Sequence, residues 1–240
     1  MMKEKILLKF VSVLALSFSF FFLGTGEIEA SEKGSITKEE FNQQMQNFID
    51  MGIDKKTAKK LTEKVARGEL LDAQKESEIK KLDDEALSVD IEVQEKFIEF
   101  EDGSRIQLSL EEEEPLFTTF DYATGTVTNN SCTTGSGYKN CNVTARYQDG
   151  VWDVRFNAVV SQVQGGYDSI SSISRQAVDA VFYSVTQKKF AIVRSKETSS
   201  AAALAEYTNQ FSHKTGLYTI SRTLSLYAKG DKTYARLNYY

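Results

Sequence analysis

The apolar positions of residues 37–68 recur with the period of an α-helix. Thr37 opens a capping box, and Gly52 is placed to end the first helix. Asp54 caps a second helix, which Gly68 ends. The apolar stripes are Phe41, Met45 and Phe48 in the first helix, and Ala58, Leu61 and Val65 in the second. We therefore expect an antiparallel helical hairpin within residues 31–72.

Beyond these helices the hydrophobic period shortens to that of a β-strand. A hairpin is predicted where Asp102-Gly103 turns the chain and apolar residues alternate over 106–110. Residues 73–90 are charged and weakly patterned, as in a linker or a frayed helix, and Glu111–Glu114 precede the single proline. We expect residues 73–114 to form an acidic linker that carries one β-hairpin.

Residues 115–240 predict a succession of strands. The clearest hairpin turns at Asp149-Gly150, with alternating apolar residues on both sides. Further strands are predicted over residues 168–174, 178–185, 190–194, 217–227 and 232–240. Residues 201–211 fit either a helix or a strand, and we favour the strand. This spacing predicts an antiparallel β-sandwich, Ig-like or a partly open barrel, in a fold that is α+β and mainly β.

The N-terminus has the layout of a secretory signal peptide. Three lysines precede the apolar run Phe10–Leu23, and Ala30 offers a cleavage position after a short polar stretch. An apolar helix of this length spans about 21 Å, which is less than the roughly 30 Å hydrocarbon core of a bilayer. We expect residues 1–30 to be removed on export, which leaves no stable membrane span.

Charge is distributed unevenly along the remaining chain. Residues 31–114 hold 23 acidic and 13 basic side chains, whereas residues 115–240 hold 8 acidic and 13 basic ones. These opposite net charges favour packing of the acidic helical hairpin on the β region. The basic residues form no run, so we expect no nucleic-acid partner.

The chain contains two cysteines, Cys132 and Cys141, which enclose a polar loop between two predicted strands. In an exported protein this arrangement predicts a disulfide, which would stabilise the fold by roughly 2–3 kcal/mol. A thiol nucleophile would need a nearby base, and His213 is the single histidine. One histidine and two cysteines also exclude a metal site built on several such ligands.

Common catalytic sequence patterns are absent. The chain has no P-loop, no dinucleotide-binding glycine pattern, no His-Glu-x-x-His and no nucleophile elbow. A Ser-His-Asp triad would have to use His213, which lies in a polar segment before a predicted strand. Carboxylate pairs for glycoside hydrolysis would come from Asp149, Asp153 and Asp168. We therefore expect a non-enzymatic protein without a cofactor, and a hydrolase is the least favoured alternative.

All eleven tyrosines lie in the β region, among Ser, Thr, Asn and Arg. Tyrosine combines apolar area with a hydroxyl and is common on recognition surfaces, but it is also a favoured strand residue. Tyr138 lies inside the predicted disulfide loop, and we expect it to be exposed and to bind a ligand. Trp152 is predicted to be in the core by its place in the alternation. The expected partner is a surface glycan or protein.

Residues 159–174 alternate Val and Ile with Ser and Gln around Gly165-Gly166. Membrane-inserting hairpins of pore-forming toxins show a similar pattern. Each arm of such a hairpin needs about 9–11 alternating residues, and the pattern weakens after the glycines. We favour an edge hairpin with solvated serines, and a secreted toxin or inhibitor acting on membranes or competitors is the alternative function.

Four features together carry a resemblance to a known group of proteins. They are the export signal, the helical hairpin ending at Lys64–Asp72, the hairpin at Phe100–Ser104 and the tyrosine-rich β region. This layout resembles uncharacterised secreted proteins of Gram-positive bacteria. The resemblance implies an extracellular or wall-associated location and carries over no catalytic residues. The sequence thus predicts a secreted binding or interaction protein whose ligand it does not identify.

Overall fold

The computed structural model describes residues 35–112, 119–120, 127–128 and 132–239. The predicted signal peptide, residues 1–30, lies outside these ranges, as do Pro115, Tyr122 and Tyr240. The described residues belong to one compact unit.

Helices come first along the chain, and strands make up most of the rest. The helices are α1 (Lys38–Asp50), α2 (Lys55–Ala66) and α3 (Glu76–Ile79), with a 3₁₀ turn at Asp72–Gln74. The strands are β1 (Ser88–Asp90), β2 (Glu95–Glu99), β3 (Arg105–Glu112), β4 (Thr119–Phe120), β5 (Val127–Thr128), β6 (Cys132–Gly135), β7 (Tyr138–Gln148), β8 (Trp152–Val163), β9 (Ser169–Ala180), β10 (Tyr183–Arg194), β11 (Ala203–His213), β12 (Thr219–Lys229) and β13 (Lys232–Tyr239). Within the described ranges, no helix has the length and apolar character needed to cross a membrane.

The strands form two large antiparallel sheets. Sheet A has the order β1-β13-β12-β11-β10, and sheet B has the order β2-β3-β7-β8-β9, with β6 also paired to β7. A separate small sheet pairs β4 with β5. Neither large sheet closes into a barrel among the described residues, which confirms the predicted α+β, mainly β sandwich.

The core lies between the two sheets and follows the predicted alternation. Along β7, Val143, Ala145 and Tyr147 are buried, while the residues between them face outward. Trp152 opens β8 and is only 1% exposed, which confirms its predicted place in the core. Because side chains alternate across a strand, this register also determines which polar residues line the outer face of sheet B.

The helical hairpin packs against the turn between β7 and β8. The capping box of α1 is formed, with Thr37 N donating to Glu40 Oε2 at 3.0 Å. Phe48 is fully buried, and a Cβ atom at Gly150 would overlap its ring. Gly150 also has a φ of +80°, so this turn requires glycine for two reasons. Gln44 Nε2 donates to the Gly150 carbonyl oxygen at 2.5 Å, which anchors α1 to the turn.

Ion pairs connect the acidic part of the chain to the basic β region. Glu40 of α1 pairs with Lys214, and Asp84 pairs with Arg236. Glu112 Oε1 lies 2.7 Å from Lys139 Nζ. In each pair the acid comes from residues 31–114 and the base from residues 115–240, as expected from the opposite net charges of these segments.

The segment 73–114 is expected to be an acidic linker with one hairpin, and its described part, residues 73–112, contributes strands to both sheets. The predicted hairpin is present as β2 and β3, with its turn at Asp102-Gly103. In addition, β3 pairs with β7 in sheet B, and β1 pairs with β13 in sheet A. The acidic segment therefore contributes strands to the sandwich.

The strand predicted over residues 178–185 is wrong. β9 ends at Ala180, Val181 and Phe182 form a turn, and β10 begins at Tyr183 in the other sheet. This turn contains none of the Gly, Pro, Asn or Asp residues that mark turns in a sequence, and Phe182 is fully buried. Residues 201–211, which fitted both a helix and a strand, lie almost entirely in β11, so the favoured strand is confirmed.

Asp102 ties the turn between β2 and β3 to the helical part of the chain. Its Oδ2 accepts hydrogen bonds from Lys64 Nζ at 2.7 Å and from Asp72 N at 3.0 Å. Its Oδ1 accepts from Ser104 N at 3.0 Å. Burial acts to raise the pKa of the Asp102 carboxyl, but these hydrogen bonds outweigh burial and hold the pKa below its usual value.

We expect Asp102→Asn to lower the free energy of unfolding by about 1–2 kcal/mol at pH 7, because it weakens charge-assisted hydrogen bonds. The folded-state pKa lies below the unfolded-state value, so the carboxylate stabilises the fold above about pH 4. This contribution is lost as the pH falls through the folded-state pKa.

Urea unfolding at several pH values measures the effect. The difference in the free energy of unfolding between wild type and Asp102→Asn should become smaller as the pH is lowered. Asp84→Asn, which alters a largely exposed carboxylate, is the control and should cost less than about 0.5 kcal/mol. A difference that stays constant down to pH 3 would contradict the assignment.

Candidate functional site

The candidate site is built on the hairpin of β6 and β7. Cys132 and Cys141 lie directly opposite each other in the register and form the predicted disulfide. Gly135 and Tyr138 form the last pair of the hairpin, and Gly137 in the turn between them has a φ of +79°. The hairpin is therefore closed by the disulfide at one end and by a tight turn at the other.

Tyr138 is held at the tip of this hairpin. Its ring lies against Gly135, where an added Cβ atom would overlap the ring atoms. The residue is 45% exposed, so the predicted exposure of Tyr138 is confirmed. The position of the ring thus depends on a glycine in the opposite strand and on the strand pairing that the disulfide maintains.

Polar residues share a groove with Tyr138 at this end of the sandwich. Together with Tyr138 they line a groove of about 350 Å³, and they are Lys139, Gln162, Gln164 and Asp231. Lys139 is held by the ion pair with Glu112, and Gln162 Nε2 donates to Thr233 Oγ1 at 3.1 Å. An aromatic ring beside amide and charged groups can contact the apolar face of a ligand and hydrogen-bond its polar groups. We refer to this site as the Tyr138 groove.

The three carboxylates considered for glycoside hydrolysis are each held by separate donors. Asp149 is fully buried in the turn between β7 and β8. Asp153 accepts hydrogen bonds from Arg146 and Arg155 on the outer face of sheet B.

Asp168 is buried at the opposite end of the sandwich, where it accepts from Val163 N and Asp231 N, both at 2.9 Å. Burial, together with the nearby charge of Glu197, raises the pKa of the Asp168 carboxyl. Asp168 Oδ1 and Oδ2 each accept one of these backbone N–H groups, which fixes the turn before β9 to the turn before β13.

His213 is buried at the end of β11 and does not meet a cysteine thiol. Its Nδ1 lies 2.7 Å from Thr215 Oγ1, and its ring stacks on Tyr218 with centroids 5.5 Å apart. Burial lowers the pKa of His213, which favours the neutral imidazole. Both cysteines are in the disulfide, so neither offers a thiol for His213 to activate.

The Ser- and Gln-containing hairpin over residues 159–174 is formed by β8 and β9. Val160 of β8 and Ile170 of β9 face the core and are buried. Its outer residues, such as Ser172, are exposed. The apolar side of this hairpin therefore packs against sheet A in the folded protein.

Sequence reasoning identified Tyr138 but not the groups around it. Gln162 and Gln164 lie at the end of β8 and just beyond it, and Asp231 lies in the turn between β12 and β13. β13 belongs to the other sheet, so only the packing of the two sheets brings Asp231 to the groove. The Gly135–Tyr138 pairing could have been inferred from the hairpin register once the disulfide was assumed.

Comparisons with known proteins give few matches. No protein-family model matches the chain, and no curated protein matches it. A crystal structure of a hypothetical protein from Listeria monocytogenes EGD-e is similar over 62% of this chain and 100% of that chain, with 23% identity and a TM-score of 0.32. A similarity at this level carries no argument about function.

Proposed function

We propose that this chain is exported by a Gram-positive bacterium and acts at the cell surface or in the medium as a non-enzymatic glycan-binding protein. The observation that carries the proposal is the Tyr138 ring, fixed over Gly135 at the tip of a disulfide-closed hairpin. The disulfide itself supports an oxidising location outside the cytosol.

The chemistry of the Tyr138 groove favours a sugar ligand. A sugar ring has an apolar C–H face that can lie on an aromatic ring, and hydroxyl groups that can pair with side-chain amides. Gln162 and Gln164, which carry such amides, line the same groove as Tyr138. A rigid aromatic residue also loses little conformational entropy on binding, which favours affinity in a small site.

We expect Tyr138→Ala to reduce glycan affinity at least tenfold, which corresponds to about 1.4 kcal/mol. The measurement is binding of the labelled mature protein to an array of immobilised oligosaccharides, followed by titration of the best ligand. Gly135→Ala should also weaken binding, because the new methyl group displaces the ring without removing it.

Tyr167→Ala is the matched control. Tyr167 is 49% exposed, similar to Tyr138, but does not line the groove. Its replacement should leave glycan affinity unchanged. Equal losses in the two tyrosine variants, or no retention of the wild-type protein by any glycan, would overturn the proposal.

A further inference from the structure

A second cleft lies at the opposite end of β7 and β8 from the Tyr138 groove. It has a volume of about 710 Å³ and is formed between helix α1 and the outer face of sheet B. Tyr138 and Gln148 are the two ends of β7, so the sites are about 33 Å apart along the strand. The cleft is within the usual size range of small-molecule sites, roughly 300–1,000 Å³.

One wall of this cleft is a polar stripe on α1. Gln43, Asn47 and Asp50 are spaced by four and three residues, so they share one face of the helix. This stripe lies beside the buried face that carries Phe48. Gln43 Nε2 donates to Asn47 Oδ1 at 2.9 Å, which orders the two amides relative to each other.

The other wall is a row of polar residues across sheet B. Gln107, Gln148, Asp153 and Asp179 come from β3, β7, β8 and β9 and are directly opposite one another in the register. They therefore project from the same outer face of the sheet. Amide side chains from a helix and from a sheet thus face the same space.

A network of ion pairs holds the sheet wall in place. Arg146 donates to both oxygens of Asp153, at 2.9 and 2.6 Å. Arg155 bridges Asp153 and Asp179 at 2.8 and 2.9 Å. A bidentate pair of this kind fixes both side chains, so the wall is organised before a ligand binds.

The charge of the lining disfavours an anion. Three carboxylates, those of Asp50, Asp153 and Asp179, line the cleft against the single guanidinium of Arg146. Even when the neighbouring Arg155 is included, negative charge is in excess. A ligand with its own carboxylates or phosphates would meet repulsion here.

Hydrogen-bonding capacity remains available in the cleft. The side chain of Gln148 makes no hydrogen bond to another described residue. An amide both donates and accepts, as sugar hydroxyls do, so amides on two facing walls match a hydroxyl-rich ligand.

We propose that this cleft binds a short oligosaccharide that carries no negative charge. The inference stands independently of the Tyr138 groove, because the two sites share no lining residue. Gln148 and Asn47 supply hydrogen bonds from opposite walls, and the excess of carboxylates selects against acidic sugars.

Titration calorimetry with three tetrasaccharides tests the proposal: one neutral, one built of amino sugars and one built of uronic acids. The neutral or the amine-bearing compound should bind saturably, and the uronate compound at least tenfold more weakly. Asn47→Ala and Gln148→Ala should each reduce affinity at least fivefold. Asn42→Ala, on the same helix but outside the cleft, should leave it unchanged.

Circular dichroism of every variant separates loss of binding from loss of folding. Absence of saturable binding by both the neutral and the amine-bearing tetrasaccharide would overturn the inference. Tighter binding of the uronate compound would overturn it too, as would equal effects of Asn42→Ala and Asn47→Ala. Binding of polar peptides in place of sugars would assign the cleft to a different ligand class.

Discussion

Trp152→Ala should lower the free energy of unfolding by about 3–5 kcal/mol, the usual range for removing a large aromatic side chain from a core. Trp152 stacks on Phe211, with ring centroids 4.3 Å apart and planes at 17°. It also meets Tyr183 edge-on at 5.3 Å. These two partners belong to sheet A, so Trp152 joins the two sheets at one end of the sandwich.

The loss extends beyond apolar contacts. The guanidinium carbon of Arg222 lies 5.5 Å from the centre of the Trp152 ring, a cation–π geometry in a buried setting. Removing the ring leaves the Arg222 charge beside a cavity. Typical domains are stable by about 5–15 kcal/mol, so this single change would remove a large share of the total.

Urea unfolding followed by circular dichroism measures this effect, since the variant lacks the only tryptophan and gives no tryptophan fluorescence. Trp152→Phe is the control, because phenylalanine keeps a ring between Phe211 and Arg222, and it should cost less than half as much. A loss below about 1 kcal/mol for Trp152→Ala would show that Trp152 does not join the sheets as described.

Local elements of this fold were predictable because their signals lie close together in the sequence. The capping box at Thr37 and the turn at Asp149-Gly150 mark the ends of elements within a few residues. Alternation over β7 and β8 then predicted the buried face, including Trp152. The β6–β7 disulfide was predictable for the same reason, since its cysteines are nine residues apart.

Pairings between distant segments were not predictable from one sequence. β1 is only three residues long and pairs with β13, which lies about 145 residues later in the chain. Nothing near Ser88–Asp90 identifies that partner, and the weak local pattern predicts a linker. The turn at Val181 and Phe182 was missed because tertiary packing, not turn-forming residues, determines it.

The two candidate sites also differ in whether the sequence could predict them. Tyr138 was identified because its loop, its cysteines and its residue type are all local. The cleft near Gln148 requires α1 to lie beside sheet B, although Asn47 and Gln148 are about 100 residues apart in the chain. Composition and spacing carry no information about this contact, which is made by the packing of Phe48 on the turn at Gly150 and by the Gln44–Gly150 hydrogen bond.

Asp149 is the centre of a buried network that spans the same turn. Its Oδ1 accepts from Val151 N at 2.8 Å and Trp152 N at 2.7 Å. Its Oδ2 accepts from Tyr147 Oη at 2.9 Å and from Gln74 Nε2 at 3.4 Å. The residue is fully buried, so its carboxylate satisfies donors that water cannot reach.

Asp149→Ala should therefore destabilise the fold by about 3 kcal/mol, because two backbone N–H groups and two side-chain donors lose their acceptor inside the protein. Asp149→Asn should cost about 1–2 kcal/mol. The asparagine Oδ1 still accepts hydrogen bonds from the backbone, and its Nδ2 can donate to Tyr147 Oη. Its Nδ2 also lies next to Gln74 Nε2, however, and two N–H donors cannot hydrogen-bond to each other. Denaturant unfolding at pH 7 compares the stabilities of the two variants. Equal losses of stability would contradict the role of Asp149 as a buried hydrogen-bond acceptor.

A comparison of wild type with Asp149→Asn at several pH values tests the charge of Asp149. Burial raises the pKa of the Asp149 carboxyl, against the opposing effects of its hydrogen bonds and of Arg222. A raised folded-state pKa means that the fold holds a proton which the unfolded chain releases near pH 4. The stability of wild type relative to Asp149→Asn should accordingly fall as the pH rises from about 4 through the folded-state pKa, and then level off. If that difference instead rises with pH, the hydrogen bonds to Asp149 and the charge of Arg222 together outweigh burial, and Asp149 is ionised in the folded protein.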